Sequence, residues 1–174
     1  MILTGPQICS ARERGQIVIE PFDPDAVNPN SYNFRLANTL HVYRCEVFDP
    51  RVEPDVDEIT MPDDGYVLEA NQLYLAASLE VMGGDYFVPT FTARSSVARA
   101  GLFINLSATL GDIGYLGQWT LQLFAAQRIR ILPGMKIGQI SWWQPVGEID
   151  LYAGKYQYSH GPSATRIYRD FATV

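Results

Sequence analysis

At 174 residues the chain has the length of one ordinary domain, and 47% hydrophobic with 18% charged residues is the composition of a folded protein with a real core. The net charge is −6 and no Lys/Arg run occurs, which excludes a nucleic-acid binder that tracks phosphates by displacing counterions. A small anionic ligand stays open, because a few local cations suffice for it.

Taken in order, Thr4-Gly5-Pro6-Gln7 joins a hydroxyl cap to a proline in the first turn, and Gly15 is a stop, which predicts a helix over 5–14. Residues 17–20 read as a strand ended by Pro21. Residues 31–36 alternate, with Tyr32, Phe34 and Leu36 on one face. Residues 39–47 form a second strand, expected to pair with the first through Ala37-Asn38. The acidic, proline-rich stretch 48–65 reads as a surface loop. Strands follow over 66–69 and 72–79 around a turn at Ala70-Asn71, then over 86–91, 118–125, 128–132 and 136–144, with turns at Gly83-Gly84 and Pro133-Gly134. Trp142 and Trp143 are adjacent on a strand, so only one can face inward. The tail from Ala153 is rich in Tyr, Gly and Ser. Short strands with regular turn signals predict one mainly β domain, a distorted barrel or jelly roll with a short N-terminal helix.

Cys9 and Cys45 form no CxxC pair, and His41 and His160 add no ligand spacing, so free thiols in a reducing compartment are expected and a zinc site is not. The start has no apolar leader core and no run of ~18 apolar residues follows, which points to a cytoplasmic protein without a membrane span.

Chemistry concentrates in residues 90–122. Arg94, Ser95 and Ser96 meet at a polar corner, where a planar guanidinium fork and short hydroxyl donors suit phosphate oxygens. If a helical turn opens there, its free N–H groups add to the anion site. Asp112 follows in a turn with Gly111, Gly114 and Gly117. A carboxylate beside phosphates is a poor ligand but a good base for a water aimed at phosphorus. Nucleotide polyphosphate chemistry is the leading reading.

Four stretches, in order, carry a family resemblance: IVIEPFDPDAVNPNSYNFRLANTLHVY (17–43), RSSVARAGL (94–102), PGMKIGQISW (133–142) and GKYQYSHGPSATR (154–166). On these the chain resembles the dCTP deaminase / dUTPase superfamily, in its dCTP deaminase-like branch, nearly end to end. The resemblance implies a dUTPase-like distorted barrel (1–152) with a C-terminal lid (153–174), assembled as a homotrimer with active sites between subunits. It also implies Mg²⁺ held through the triphosphate of dUTP or dCTP rather than by a protein cage. Residue by residue, Arg94, Ser95, Ser96 and Gln139 match phosphate contacts, and Arg99 an active-site arginine reaching in from a neighbouring subunit. Asn105 and the backbone around Ala108 match the edge that reads the pyrimidine. Tyr115 matches the aromatic under the deoxyribose, and Lys155 and Tyr156 the segment over the triphosphate.

Gln122 stands where the deaminases carry a glutamate that shuttles protons. An amide has no titratable proton, so it cannot do that work. Asn33, Ser159 and His160 also depart from the branch's usual Asp and glutamines. The expected activity is therefore hydrolysis of dUTP to dUMP and pyrophosphate with Asp112 as base. The alternatives are a dCTP deaminase or bifunctional enzyme, and a non-catalytic nucleotide-binding homologue.

Overall fold

The structure, a computed structural model, describes residues 1–172. Helix α1 (Gly5–Glu13) starts after Thr4 with Pro6 in its first turn and turns Gly5, Ile8 and Ala11 to the core. The strands are β1 (Val18–Glu20), β2 (Tyr32–Arg35), β3 (Thr39–Tyr43), β4 (Val56–Thr60), β5 (Tyr66–Leu68), β6 (Leu73–Gly83) and β7 (Val88–Ala93). A one-turn helix α2 (Ser95–Arg99) precedes β8 (Leu102–Phe103), β9 (Leu116–Ala125), β10 (Ile129–Ile131) and β11 (Lys136–Trp143).

These strands form three hydrogen-bonded groups. The largest runs β4-β3-β6-β9-β8, with β1 paired to the far end of β6; a second is β2-β11-β7; the third is the pair β10-β5. The fold is mainly β, as expected, but its sheets face each other in a distorted jelly-roll-like arrangement and are not closed into one barrel. Between them lies a single core that includes Phe34, Phe91, Leu121, Leu123, Ile140 and Trp142. Trp142 is buried within it and Trp143 is 42% exposed, as the alternation requires.

Three expectations are corrected. Strands β2 and β3 do not pair: β2 joins β11 and β3 joins β4 and β6, because the chain changes sheets at Ala37-Asn38. Asn33 is buried as well as Tyr32 and Phe34, so β2 is covered on both faces. The stretch 48–65 is not all loop, since Val56–Thr60 pairs with β3 along its whole length. Its acidic residues fit an edge strand, where exposed charge discourages further pairing. Finally, β5 pairs with β10 rather than with β6 across Ala70-Asn71.

One buried charge organises the junction of the sheets. Glu80 is fully buried in the irregular stretch of β6 between Ala77 and Val81. It accepts the Arg35 backbone N–H at 2.8 Å and the Arg35 Nε–H at 2.6 Å. Ser78 beside it donates to the Glu80 carbonyl at 2.7 Å and accepts the Trp119 N–H at 2.8 Å. The Glu80 carboxylate and the Ser78 hydroxyl are both hydrogen-bonded, which is what lets a carboxylate stay inside.

Candidate active site

The loop from β8 to β9 folds across β7: Phe91 N–H donates to Thr109 O at 3.0 Å and Gly111 N–H to Pro89 O at 2.8 Å. A Cβ at Gly111 would sit 2.1 Å from the Trp119 ring, so only glycine allows this approach. The next residue, Asp112, is thereby lifted to the lip of a cavity of about 440 Å³. Tyr115 N–H donates to Asp112 O at 3.3 Å and closes the turn. The Tyr115 ring packs edge-on against Trp119 at 5.0 Å and Tyr152 at 6.0 Å. Its hydroxyl donates to Gln118 O at 2.8 Å, and burial pushes its pKa up to about 12, so the ring is fixed and neutral.

The floor of the cavity is the outward face of β6 and β9. The register sets Leu75 opposite Gln122 and Leu73 opposite Phe124, and residues facing one another share a face. Alternation on β9 sends Trp119, Leu121 and Leu123 inward and Thr120 and Gln122 outward, as expected. The Gln122 side chain makes one long contact, Nε2 to Thr120 O at 3.5 Å, which leaves the amide to the cavity. Tyr43 of β3, Ala108 of the loop, and Tyr152, Tyr156, Ser163 and Thr165 of the tail complete the wall. Among the described lining residues Asp112 is the one carboxylate. A Mg²⁺ ion here would therefore take most of its oxygen ligands from a bound anion and water.

Most of the candidate residues fall into two groups, with Asn105 and Lys155 in neither. Ala108, Asp112, Tyr115, Gln122 and Tyr156 line the cavity. Arg94, Ser95, Ser96 and Arg99 do not; they lie where β7 runs into α2, with the serines and Arg99 facing solvent. Gln139 belongs with this second group, since it lies opposite Thr92 on β7 and Arg94 shares the face of Thr92 two residues on. Asn33 of β2 completes the row and bonds Asn28 at 3.1 Å. Asn105 donates to Phe91 O at 3.0 Å, which commits its amide nitrogen to holding the loop. Lys155 is ion-paired with Asp170 at 2.6 Å. Ser159 is buried and donates to Tyr156 O at 2.7 Å, and His160 is exposed.

Tyr43, Thr120, Ser163 and Thr165 were not singled out by the sequence. Period-2 alternation carries Thr120 along with Gln122, but nothing local marks a tyrosine at the end of a strand as part of a cavity wall.

The β framework carries an aromatic-lined cavity and a separate Arg/Ser corner, and comparison with known proteins gives the chain a family. The model of the dCTP deaminase-like family matches residues 2–144. The chain is 42% identical over 173 residues to a protein of Clostridium botulinum (strain Eklund 17B / Type B) named "dCTP deaminase, dUMP-forming", covering 98% of this chain and 99% of that one. A protein of the same name from Hathewaya histolytica is 44% identical over 172 residues, with 98% and 99% covered. Among solved structures, a 2′-deoxycytidine 5′-triphosphate deaminase from Agrobacterium tumefaciens superposes with a TM-score of 0.65 at 21% identity, over 81% of this chain and 47% of that one. The chain belongs to the dCTP deaminase-like family. Among the described residues no helix is long and apolar enough to cross a membrane.

Proposed function

We propose that the chain forms dUMP from a pyrimidine deoxynucleoside triphosphate, and that the step its own residues carry most directly is release of pyrophosphate from dUTP. The observation that carries this is Asp112 at the lip of a cavity whose other reactive position, 122, holds an amide. In this reading the pyrimidine lies on the β6/β9 floor. Gln122 can donate to and accept from a base edge there without exchanging a proton. Asp112 takes the proton of a water in line with the α-phosphorus as the oxygen bonds to it and pyrophosphate departs. Tyr115, fixed by its two aromatic contacts, crowds a 2′-hydroxyl. Mg²⁺ on the triphosphate supplies neutralisation of charge there.

The cations for the phosphates come, in this reading, from another copy. In one chain Arg94, Ser95, Ser96, Arg99 and Gln139 stay outside the cavity wall, so the site is incomplete until a neighbour brings its corner to it. Leu73, Phe103, Leu106 and Leu110, 37–68% exposed, give that neighbour an apolar surface beside the cavity. A homotrimer is the assembly that this arrangement and the family suggest.

A second reading, the full route from dCTP through deamination, is favoured by the shared name of the relatives, and they lend more to it than to hydrolysis alone. The two readings differ at Gln122. Purified protein given dUTP and dCTP separately, with ammonia and pyrophosphate both measured, tests them. Pyrophosphate from dUTP supports the hydrolytic step. Ammonia from dCTP released as fast as pyrophosphate from dUTP establishes the full route and a proton carrier other than residue 122.

A further inference from the structure

Up to Ser159 the tail is held by backbone pairing: Tyr158 N–H donates to Leu116 O at 3.0 Å and Gln118 N–H to Ser159 O at 2.9 Å. Beyond it the pattern changes. Gly161 N–H donates to Gln118 Oε1 at 2.6 Å, Ser163 N–H to Thr120 Oγ1 at 3.0 Å, and Thr165 N–H to the Tyr43 hydroxyl at 3.0 Å. Arg166 N–H reaches the Tyr156 hydroxyl at 2.9 Å. Among the described residues, none of the backbone N–H bonds of 161–167 ends on a carbonyl of the sheets. The alternate residues 161, 163 and 165 mark an extended run, and their acceptors step across the sheet from β9 to β3. Ser163 and Thr165 also line a second cavity of about 250 Å³, beside Glu53 and Pro54. The segment 161–167 thus contributes Ser163 and Thr165 to both cavities and hangs on side-chain oxygens.

We propose that Tyr43 and Thr120 are the clasp of this strap, positioning residues that close the cavity by holding the backbone of Thr165 and Ser163. Its effect on substrate rests on the function proposed above. Hanging the strap on side chains lets it open without breaking any strand pairing, so admission of a ligand leaves the sheets intact. Closing it fixes the part of the wall that Ser163 and Thr165 add to the cavity lined by Gln122. Neither residue needs to touch reacting atoms for this.

The test is backbone hydrogen exchange of the full-length protein, reading a peptide over 161–167 against one over α1, in Tyr43→Phe, Thr120→Val and Thr120→Ser, alongside steady-state kinetics on dUTP. Losing one acceptor should speed exchange of the tail peptide about fivefold in the first two variants and leave α1 unchanged. Thr120→Ser keeps the hydroxyl and should restore wild-type exchange. KM for dUTP should rise about fivefold while kcat stays within about twofold. Unchanged tail exchange in both Tyr43→Phe and Thr120→Val overturns the clasp. Faster exchange with an unmoved KM overturns its positioning role. If the wild type leaves dUTP untouched while the exchange results hold, the clasp stands and the proposed function falls. Should Tyr43→Phe also loosen α1, the Thr120→Val and Thr120→Ser pair decides alone.

Discussion

Asp112 stands at the cavity lip, and in the proposed function its carboxylate, a poor ligand for phosphate oxygens, takes the proton of the incoming water. Asp112→Asn keeps the size and the turn while removing the basic oxygen. We expect pyrophosphate release to fall about a thousandfold while a non-hydrolysable dUTP analogue binds within about threefold of the wild type. Isothermal titration and a pyrophosphate assay read both quantities, and turnover near the wild-type rate would remove Asp112 from the mechanism. The sequence marked Asp112 by its Gly-rich turn, whereas Gln122 and Tyr115 became legible as site positions only through the family resemblance. Asn105 was legible only as a position. That its amide nitrogen is already committed to the Phe91 carbonyl depends on how the loop crosses β7, a contact fourteen residues distant in the chain. Tyr43 lay beyond reach for the same reason, since its partner Thr165 is 122 residues away.

At the scale of elements, the bulge in β6 is the piece that ties the two sheets together. Replacing Arg35 by Met removes the partner of a fully buried carboxylate, and a destabilisation of about 3 kcal/mol is expected, read as a lower urea midpoint. A midpoint within experimental error of the wild type would mean that Glu80 finds another partner. The far end of β6 acts on the site directly. A Cβ at Gly83 would lie 1.8 Å from the Tyr115 carbonyl oxygen, a backbone atom that cannot rotate away. Gly83→Ala should therefore shift the start of β9 and with it the Asp112 turn, costing about 2 kcal/mol and most of the activity. Full activity in a stable Gly83→Ala protein would show that the turn is not registered by β6. Strand existence was readable from alternation and turn residues, but partner choice was not. Hydrophobic patterning says which face of β2 or β5 is buried and nothing about which strand lies beside it. The acidic strand β4 was hidden because its exposed Asp and Glu are residues that edge strands tolerate and local propensity counts against.

For the whole molecule, ionisation of the buried tyrosines sets an alkaline limit. Burial raises the pKa of Tyr115 to about 12 and raises those of Tyr32, Tyr43 and Tyr74 as well. An unfolded chain titrates its tyrosines near ~10. A group with a raised folded pKa contributes fully below the unfolded value and loses that contribution as pH climbs through the folded one. Stability should thus decline between about pH 10 and about pH 12, with the phenolate absorbance of the native protein appearing late; a urea midpoint flat over that window would contradict the burial. The separation of the two residue groups makes a further prediction about assembly. Asp112→Asn and Arg94→Ala chains, each expected to be inactive alone, should recover activity when mixed and reassembled, because in the proposed assembly a site takes its aspartate and its arginine from different copies. Random mixing restores about a quarter of the sites. No recovery would place the whole site within one chain.

The most direct measurement gives the purified protein dUTP and dCTP in parallel and follows pyrophosphate, ammonia and the nucleotide product. The account predicts dUMP and pyrophosphate from dUTP, with ammonia from dCTP slower by about two orders of magnitude or more, since the amide at 122 cannot carry the proton. Brisk ammonia release from dCTP with no pyrophosphate from dUTP would contradict it.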